Sequence, residues 1–261
     1  MTISQPHALP EHSPTATQAE RAFDDADNAA RYELAVCYRL FDFLGWTEMI
    51  FNHITLRIGG GTEAAYLINP FGLHYSEVTP ENLVAVGLDG VARGPGRINR
   101  AGLIIHTAIH RARPDAHCIM HVHTTAGCAV ACKVGGLRSD NFYSAMLHGA
   151  VAYHDYEGVT TRESEQERLV PALADKNWLI LRNHGLLAIG ATPAQAFHRL
   201  WTLQRACEIQ LASDAGRGEN VTIRPEVLEG VPASRLGVSA DRNDVAQLMF
   251  DAMARKARIV F

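Results

Sequence analysis

His121 and His123 close the apolar run CIMHVHTTAG, residues 118–127. That run reads as a buried strand, and side chains two apart in a strand share a face. Both imidazoles therefore point the same way as Ile119, while Met120 and Val122 point the other. Two imidazoles on one face can converge on one ion, or they can be two polar side chains at a strand exit. Zinc takes nitrogen ligands at about 2.0–2.1 Å, and a catalytic site commonly pairs three protein ligands with an open position. A third ligand has to come from another element, and His184 is the best-placed candidate. It stands in Arg182-Asn183-His184-Gly185, after the apolar strand WLIL, at a turn where Gly185 is expected to allow an unusual backbone angle. Side chains projecting from such strand ends are where α/β domains place chemistry.

His106 and His110, in HTAIH, are the competing pair. They stand four apart on a helix, a spacing compatible with a metal, but the pattern is not H-E-x-x-H and supplies no adjacent base. They read as ordinary helix histidines, as do His117, His148, His154 and His198. Cys128 and Cys132 are also four apart, with no further ligand type spaced beside them. The five cysteines form no C-x-x-C pair, and buried reduced thiols in a cytoplasmic chain are the expectation.

The elements that must position these residues follow from periodicity. From Asp27, NAARYELAVCYRLFDFLGW has helical spacing and ends near Gly45. MIFNHITLRI and AAYLINPFG read as strands, the second stopped by Pro70 and Gly72. Thr79-Pro80-Glu81 carries a helix-start signature before a short strand and an Asp89-Gly90 turn. AGLIIHTAIHRARPDA reads as a helix ending before Pro114, and the histidine strand follows at once. AGCAVACKVGG reads as a helix, GAVAYHDY as a strand, and SEQERLVPALADKN as an amphipathic helix interrupted by Pro171. NWLILRNHGLLAIG reads as strand, turn, strand. The longest helix starts at Thr192-Pro193, and DVAQLMFDAMARKA forms a short one near the end.

Of 261 residues, 47% are hydrophobic and 20% charged, enough for a large core without disulfides. The net charge of −4 and the lack of a basic, aromatic-interleaved stripe argue against nucleic acid as a partner. No apolar run is long enough to span a membrane, and the first residues lack the basic start and apolar centre of a signal peptide. No G-x-G-x-x-G or Walker-type loop follows a strand, so a nucleotide has no cradle.

The order helix, Arg-Pro-Asp-Ala, apolar strand, His-x-His and, much later, Asn-His-Gly resembles the class II aldolase/adducin family. The residues that carry the resemblance are RPDAHCIMHVHTTAG (113–127), VAYHDYEG (151–158) and LRNHGLLAIG (181–190), with FNHITLRI (51–58) and INPFGLHYSE (68–77) similar to its early strands. The resemblance implies a three-layer α/β/α sandwich with a central mixed, mainly antiparallel sheet. The Pro-, Ser-, Thr-, His- and Gln-rich start reads from its composition as a flexible arm over 1–27. The resemblance covers the family domain over 28–213, with a C-terminal extension over 214–261 expected to pack on or between subunits. It also implies a homotetramer with its site near a subunit interface and a small-molecule substrate. In the aldolase members three histidines hold a divalent ion, and they match His121, His123 and His184. Zn2+ is the first expectation, with Mn2+ and Fe2+ as alternatives. The ion holds a carbonyl and a hydroxyl of a sugar and stabilises an enediolate. A tyrosine from the neighbouring subunit donates a proton, and Tyr143 is the nearest match. Asn52, His53 and Gly72 fall at substrate-binding positions.

The departures from the aldolases are specific. Their Ser-Ser-Glu, whose glutamate is the base, reads Arg100-Ala101-Gly102 here. The phosphate-binding Gly-Asn-x-Ser strand reads Asn52-His53-Ile54-Thr55, and Phe71 stands where a threonine is common. A phosphorylated substrate is therefore not expected. Aldol cleavage needs a base, and a positioned one contributes about 10²–10⁴-fold. Decarboxylation of a β-keto acid needs only an electrophile for the developing enolate. A metal-dependent carbon–carbon lyase is the expectation, by either route, with His53 or Glu77 as substitutes for the base. INRAGLIIHTAIH resembles adducin heads, which points to a non-catalytic binding module as a second reading. A third is an iron oxygenase on the same three histidines.

Overall fold

A computed structural model describes residues 18–60, 64–159, 163–237 and 239–261. The first helix, α1 (Gln18–Leu44), buries Leu34, Cys37, Tyr38 and Phe41, a stripe at helical spacing. It stops at Gly45, which takes φ +68°. The Gly45 N–H donates to Asp42 O and the Trp46 N–H to Phe41 O, and the Trp46 ring packs edge-on against Phe41 at 5.4 Å. This is the Schellman closure with its hydrophobic contact, and it fixes Trp46 at the rim of the sheet. Helix α1 starts inside the expected arm of residues 1–27, so residues 18–27 are helical; residues 1–17 lie outside the described residues.

Eight strands among the described residues form one sheet in the order β4-β3-β2-β1-β5-β8-β7-β6. They are β1 (His53–Ile58), β2 (Ala65–Ile68), β3 (Val84–Gly87), β4 (Ala92–Arg93), β5 (Cys118–Val122), β6 (Val151–His154), β7 (Trp178–Leu181) and β8 (Gly185–Gly190). Only the β6–β7 pair is parallel, so the sheet is mixed and mainly antiparallel, as expected. The central register sets His53 opposite His121 and Thr55 opposite Ile119 across β1 and β5.

Alternation along the strands divides the core into two faces. Ile54, Leu56, Cys118, Met120, Val122, Leu186 and Ala188 pack with the apolar faces of α1 and of α6 (Pro193–Ala215). The last helix, α8 (Ser239–Ala257), closes this layer through Ala246 and Phe250. Ile119, Leu187 and Ile189 face the other way, onto Ile105 and Ile109 of α2 (Arg100–Ala112) and Leu169 and Leu173 of α5 (Gln166–Leu173). The result is the three-layer α/β/α sandwich. Helix α5 runs through Pro171 after a short 3-10 turn at Glu163–Glu165. Between these lie α3 (Thr125–Ala131) and α4 (Phe142–Met146), and α7 (Pro225–Gly237) precedes α8.

One local expectation fails, and one helix is unforeseen. Thr79-Pro80-Glu81 starts no helix, because the Thr79 N–H is taken by the Asn82 side chain and the Asn82 N–H returns to Thr79 O, which closes a single turn. Helix α4 carried no periodic signal, being five residues long, and it is set instead by a capping box at Asn141.

Candidate metal centre

Strand β5 ends with the His121 side chain fully buried, and its Nδ1 lies 2.9 Å from Leu186 O on β8. A carbonyl can only accept, so Nδ1 carries the proton and Nε2 is bare. One residue past the strand, His123 is held by Asn52, whose Oδ1 accepts from the His123 backbone N–H at 3.2 Å while its Nδ2 donates to Trp46 O at 2.9 Å. The helix end at Gly45–Trp46 thus reaches the site through one amide.

His184 arrives on the β7–β8 turn. The unusual angle belongs to Asn183, at φ +55°, rather than to Gly185. Asparagine tolerates that left-handed conformation better than most residues. Gly185 is required for room: a Cβ there would stand 2.4 Å from Val122 O and 3.0 Å from the His123 ring. The sequence expectation named the right turn and the wrong reason for its glycine.

The three imidazoles converge. His123 Nε2 lies 2.7 Å from His121 Nε2 and 2.9 Å from His184 Nε2. One ligand nitrogen from each lies within 4.8 Å of the others. Hydrogen bonding does not satisfy this arrangement. His121 Nε2 is bare, and a single proton on His123 Nε2 cannot serve both neighbours well. Three nitrogens aimed at one point match the donor set of a divalent transition ion, although the set is slightly tighter than the roughly 3.3 Å edge of a tetrahedral zinc site. Burial holds the charged forms down. His121 lies well below the usual imidazole range, first from burial and then from its imidazole neighbours. His123 is lowered by burial against the opposing pull of Glu48. His184 is pushed down to about 4 by burial, with His123 and His154 adding to it. Neutral imidazoles are the ligand form.

His123 and His184 open on a cleft of about 440 Å³, walled by Phe51, Phe71, His53 and Tyr156. Asn99, Ala101 and Asn183 complete its polar and small wall. No Lys, Arg, Asp or Glu stands among the described residues that line it.

The remaining expected site residues divide. His53 lines the cleft. Asn52 is 1% exposed and both ends of its amide bind backbone, so it acts on His123 from behind. Gly72, at φ +107°, shapes the turn after β2, and its neighbour Phe71 is the residue that reaches the cleft. Tyr143, on α4, lies edge-on to Trp201 of α6 at 5.4 Å and does not line this chain's cleft. Glu77 accepts from the His74 N–H in a capping box and is exposed. The sequence reading missed Tyr156 and Asn183, although both lie inside stretches that carried the resemblance. It also missed that His106 and His110 are fully buried and hydrogen-bonded, through Thr55, toward His53.

Among the described residues, no helix is long and apolar enough to cross a membrane. Residues 32–211 match the family described as Class II Aldolase and Adducin N-terminal domain. Alpha-adducin of Rattus norvegicus is 41% identical over 248 residues, which cover 90% of this chain and 34% of that protein. The crystal structure of an aldolase II superfamily protein from Pseudomonas syringae superposes with a TM-score of 0.82 at 39% identity, covering 89% of this chain and 93% of that one. L-fuculose 1-phosphate aldolase from Glaciozyma antarctica superposes with a TM-score of 0.71 at 28% identity, covering 84% of this chain and 85% of that one. The fold that carries the three histidines is therefore shared with these structures, and the chain belongs to the class II aldolase and adducin family.

Proposed function

We propose that the chain is a divalent-metal-dependent carbon–carbon lyase acting on a small, non-phosphorylated hydroxy or keto substrate, by aldol cleavage or decarboxylation. The observation that carries this reading is the convergence of three imidazole nitrogens whose two contacts no single tautomer satisfies together. His121, His123 and His184 would hold the ion, with Zn2+ first and Mn2+ or Fe2+ as alternatives. When bound, such an ion supplies Lewis-acid polarisation of a carbonyl.

The chain's own residues set the rest. Leu186 O orients His121, and Asn52 fixes the backbone of His123. Phe51 and Phe71 give the cleft apolar walls beside the metal-type histidines. The uncharged described lining offers nothing to neutralise a phosphate. Gly102, where the aldolases carry their basic glutamate, supplies no carboxylate. That absence favours decarboxylation, in which CO2 leaves without prior proton abstraction, and a proton is needed afterwards at carbon. Tyr156 presents a phenol on the cleft within the chain. Tyr143 does not line it and would serve only across an interface, in a homotetramer with a shared site.

The similarity to alpha-adducin supports a second reading, a non-catalytic binding module on the same fold. The two separate on one experiment. Chelator-washed protein is reloaded and analysed for bound elements beside His184→Ala, and then offered a panel of β-keto and β-hydroxy acids. About one ion per chain, lost in the variant, with CO2 or aldehyde release, is the expected result. A chain that binds no ion refutes the lyase and favours the module. One iron per chain with dioxygen uptake and no lyase product refutes it in favour of an oxygenase.

A further inference from the structure

Behind the three metal-type histidines lies a second, enclosed row of imidazoles. His53 Nδ1 is 2.8 Å from His106 Nε2, and His106 Nδ1 is 2.6 Å from Thr55 Oγ1. The same hydroxyl is 2.8 Å from His110 Nε2, and His110 Nδ1 is 2.9 Å from Ala116 O. His106 and His110 are fully buried, and His53 is 2% exposed. Its ring lies against His121, with centroids 4.9 Å apart.

The direction of every bond in this row follows from its last member. Ala116 O can only accept, so His110 Nδ1 carries a proton. Burial holds His106 and His110 neutral, His110 down to about 3. His53 is 2% exposed, which disfavours a charge on it, and its Nδ1 bonds only to His106. A neutral imidazole has one proton. His110 Nε2 is therefore bare and accepts from the Thr55 hydroxyl. That hydroxyl has a single proton, now given, so it accepts from His106 Nδ1–H. His106 Nε2 is then bare and accepts from His53 Nδ1–H. His53 Nε2 is left with a lone pair. It has no hydrogen-bond partner among the described residues, and it is not among the nitrogens sealed from solvent without one. The side chain lines the cleft beside His123 and His184.

Room for this ring comes from Gly102. A Cβ at that position would stand 2.7 Å from His53 Cδ2 and 2.8 Å from its Cγ. A larger residue at 102 and this placement of the His53 ring exclude one another.

We propose that the Ala116–His110–Thr55–His106 row locks His53 in the tautomer that presents a bare Nε2 to the cleft, and that this nitrogen accepts a hydrogen bond from a substrate hydroxyl beside the metal-type histidines. His53 is then a specificity residue, and Thr55, His106 and His110 position it. The inference rests on the lyase reading for the word substrate, and it narrows the class: the ligand carries an O–H donor next to its carbonyl. A carboxylate or phosphate oxygen at that point would meet a lone pair and be repelled.

The test is a long-range 1H–15N spectrum of histidine-labelled, metal-free protein at neutral pH, with His53→Gln to assign the ring. A bare Nε2 and a protonated Nδ1 on His53 is the expected result; the opposite tautomer overturns the proposal. Thr55→Val keeps the side-chain shape and cuts the row, so it is expected to mix the two tautomers of His53 while His121 keeps its own. A His53 signal unmoved by that change shows that the row does not set it. Hydroxyacetone and methoxyacetone are then titrated in, because they differ in the hydroxyl alone. A shift of the Nε2 signal by the first and not the second supports the donor requirement, and an equal response, or none, overturns it. All of these signals are read without metal, so a failed lyase assay and a failed tautomer lock are separately visible.

Discussion

Two clusters of histidines sit back to back, one at the end of β5 and the β7–β8 turn and the other on β1 and α2, and they treat their lone pairs in opposite ways. In the inner row every ring nitrogen but one has a partner, and the bonds run in one direction to Ala116 O. In the outer set three Nε2 atoms face each other at 2.7 and 2.9 Å with one proton at most for the two contacts. The same side chain, buried in the same domain, is a closed hydrogen-bond network in one place and an open donor set in the other. Burial alone does not separate them, since His121 and His106 are equally inaccessible. What separates them is whether the second nitrogen has something to bond to.

The contrast is broken most directly by exchanging the two losses. His110→Ala should leave the Thr55 hydroxyl and Ala116 O unpaired beside a cavity and destabilise the fold by about 3–4 kcal/mol. It should leave metal binding intact. His123→Ala should do the reverse, weakening metal binding by roughly 100-fold or more with a small effect on the urea midpoint. Urea unfolding and elemental analysis on both variants decide it. Equal damage to stability from the two changes would mean that the outer set is structural too.

A smaller effect is expected at the β7–β8 turn. Gly185→Ala places a methyl against Val122 O, where only backbone movement can relieve it. Overpacking of this kind costs about 1–3 kcal/mol. Because the same methyl crowds the His121 and His123 rings, the variant should lose metal affinity and stability together, measured by urea unfolding and metal competition.

How far the sequence reaches is set by the range of the contacts involved. Alternation in CIMHV placed His121 and Ile119 on one face, and spacing with the family resemblance brought in His184. These are local or motif-borne signals. The inner row is neither. His106 and His110 lie on a helix whose docking face against β1 follows from tertiary packing, and only that packing brings Thr55 between them. Read along the chain, HTAIH looks like any pair of helix histidines. Gly185 shows the same limit, since a glycine needed for room and one needed for φ are identical letters. Gly102 is the sharper case: the sequence shows only a glycine where the resemblance places a glutamate, while the packing shows that His53 occupies the space beside it.

That exchange gives a prediction in which two variants together matter more than either. Gly102→Ala should cost about 1–3 kcal/mol by driving a methyl into the His53 ring. With His53→Ala the obstruction is gone, so the double variant should be more stable than the sum of the two losses by about 1 kcal/mol. Thermal or urea unfolding of the four proteins measures the coupling, and strict additivity would show that the ring and the glycine do not compete for one space.

The smallest effect expected is the acid response of the inner row. Burial, with Arg57 and more weakly His117 adding to it, holds His110 down to about 3, against a usual value of 6.5, while the Ala116 carbonyl opposes the shift. Between those two values the unfolded chain binds a proton that the folded chain refuses. Stability is therefore full above about pH 6.5 and falls as pH drops toward 3. From pH 7.5 to 5.5 one such histidine accounts for roughly 1 kcal/mol. His110→Gln keeps a hydrogen-bonding side chain without the titration, so its urea midpoint should fall less over that interval. The comparison is made on metal-free protein, where the outer histidines titrate equally in both chains and cancel. If the two slopes coincide, His110 is not the buried neutral anchor from which the direction of the whole row was read.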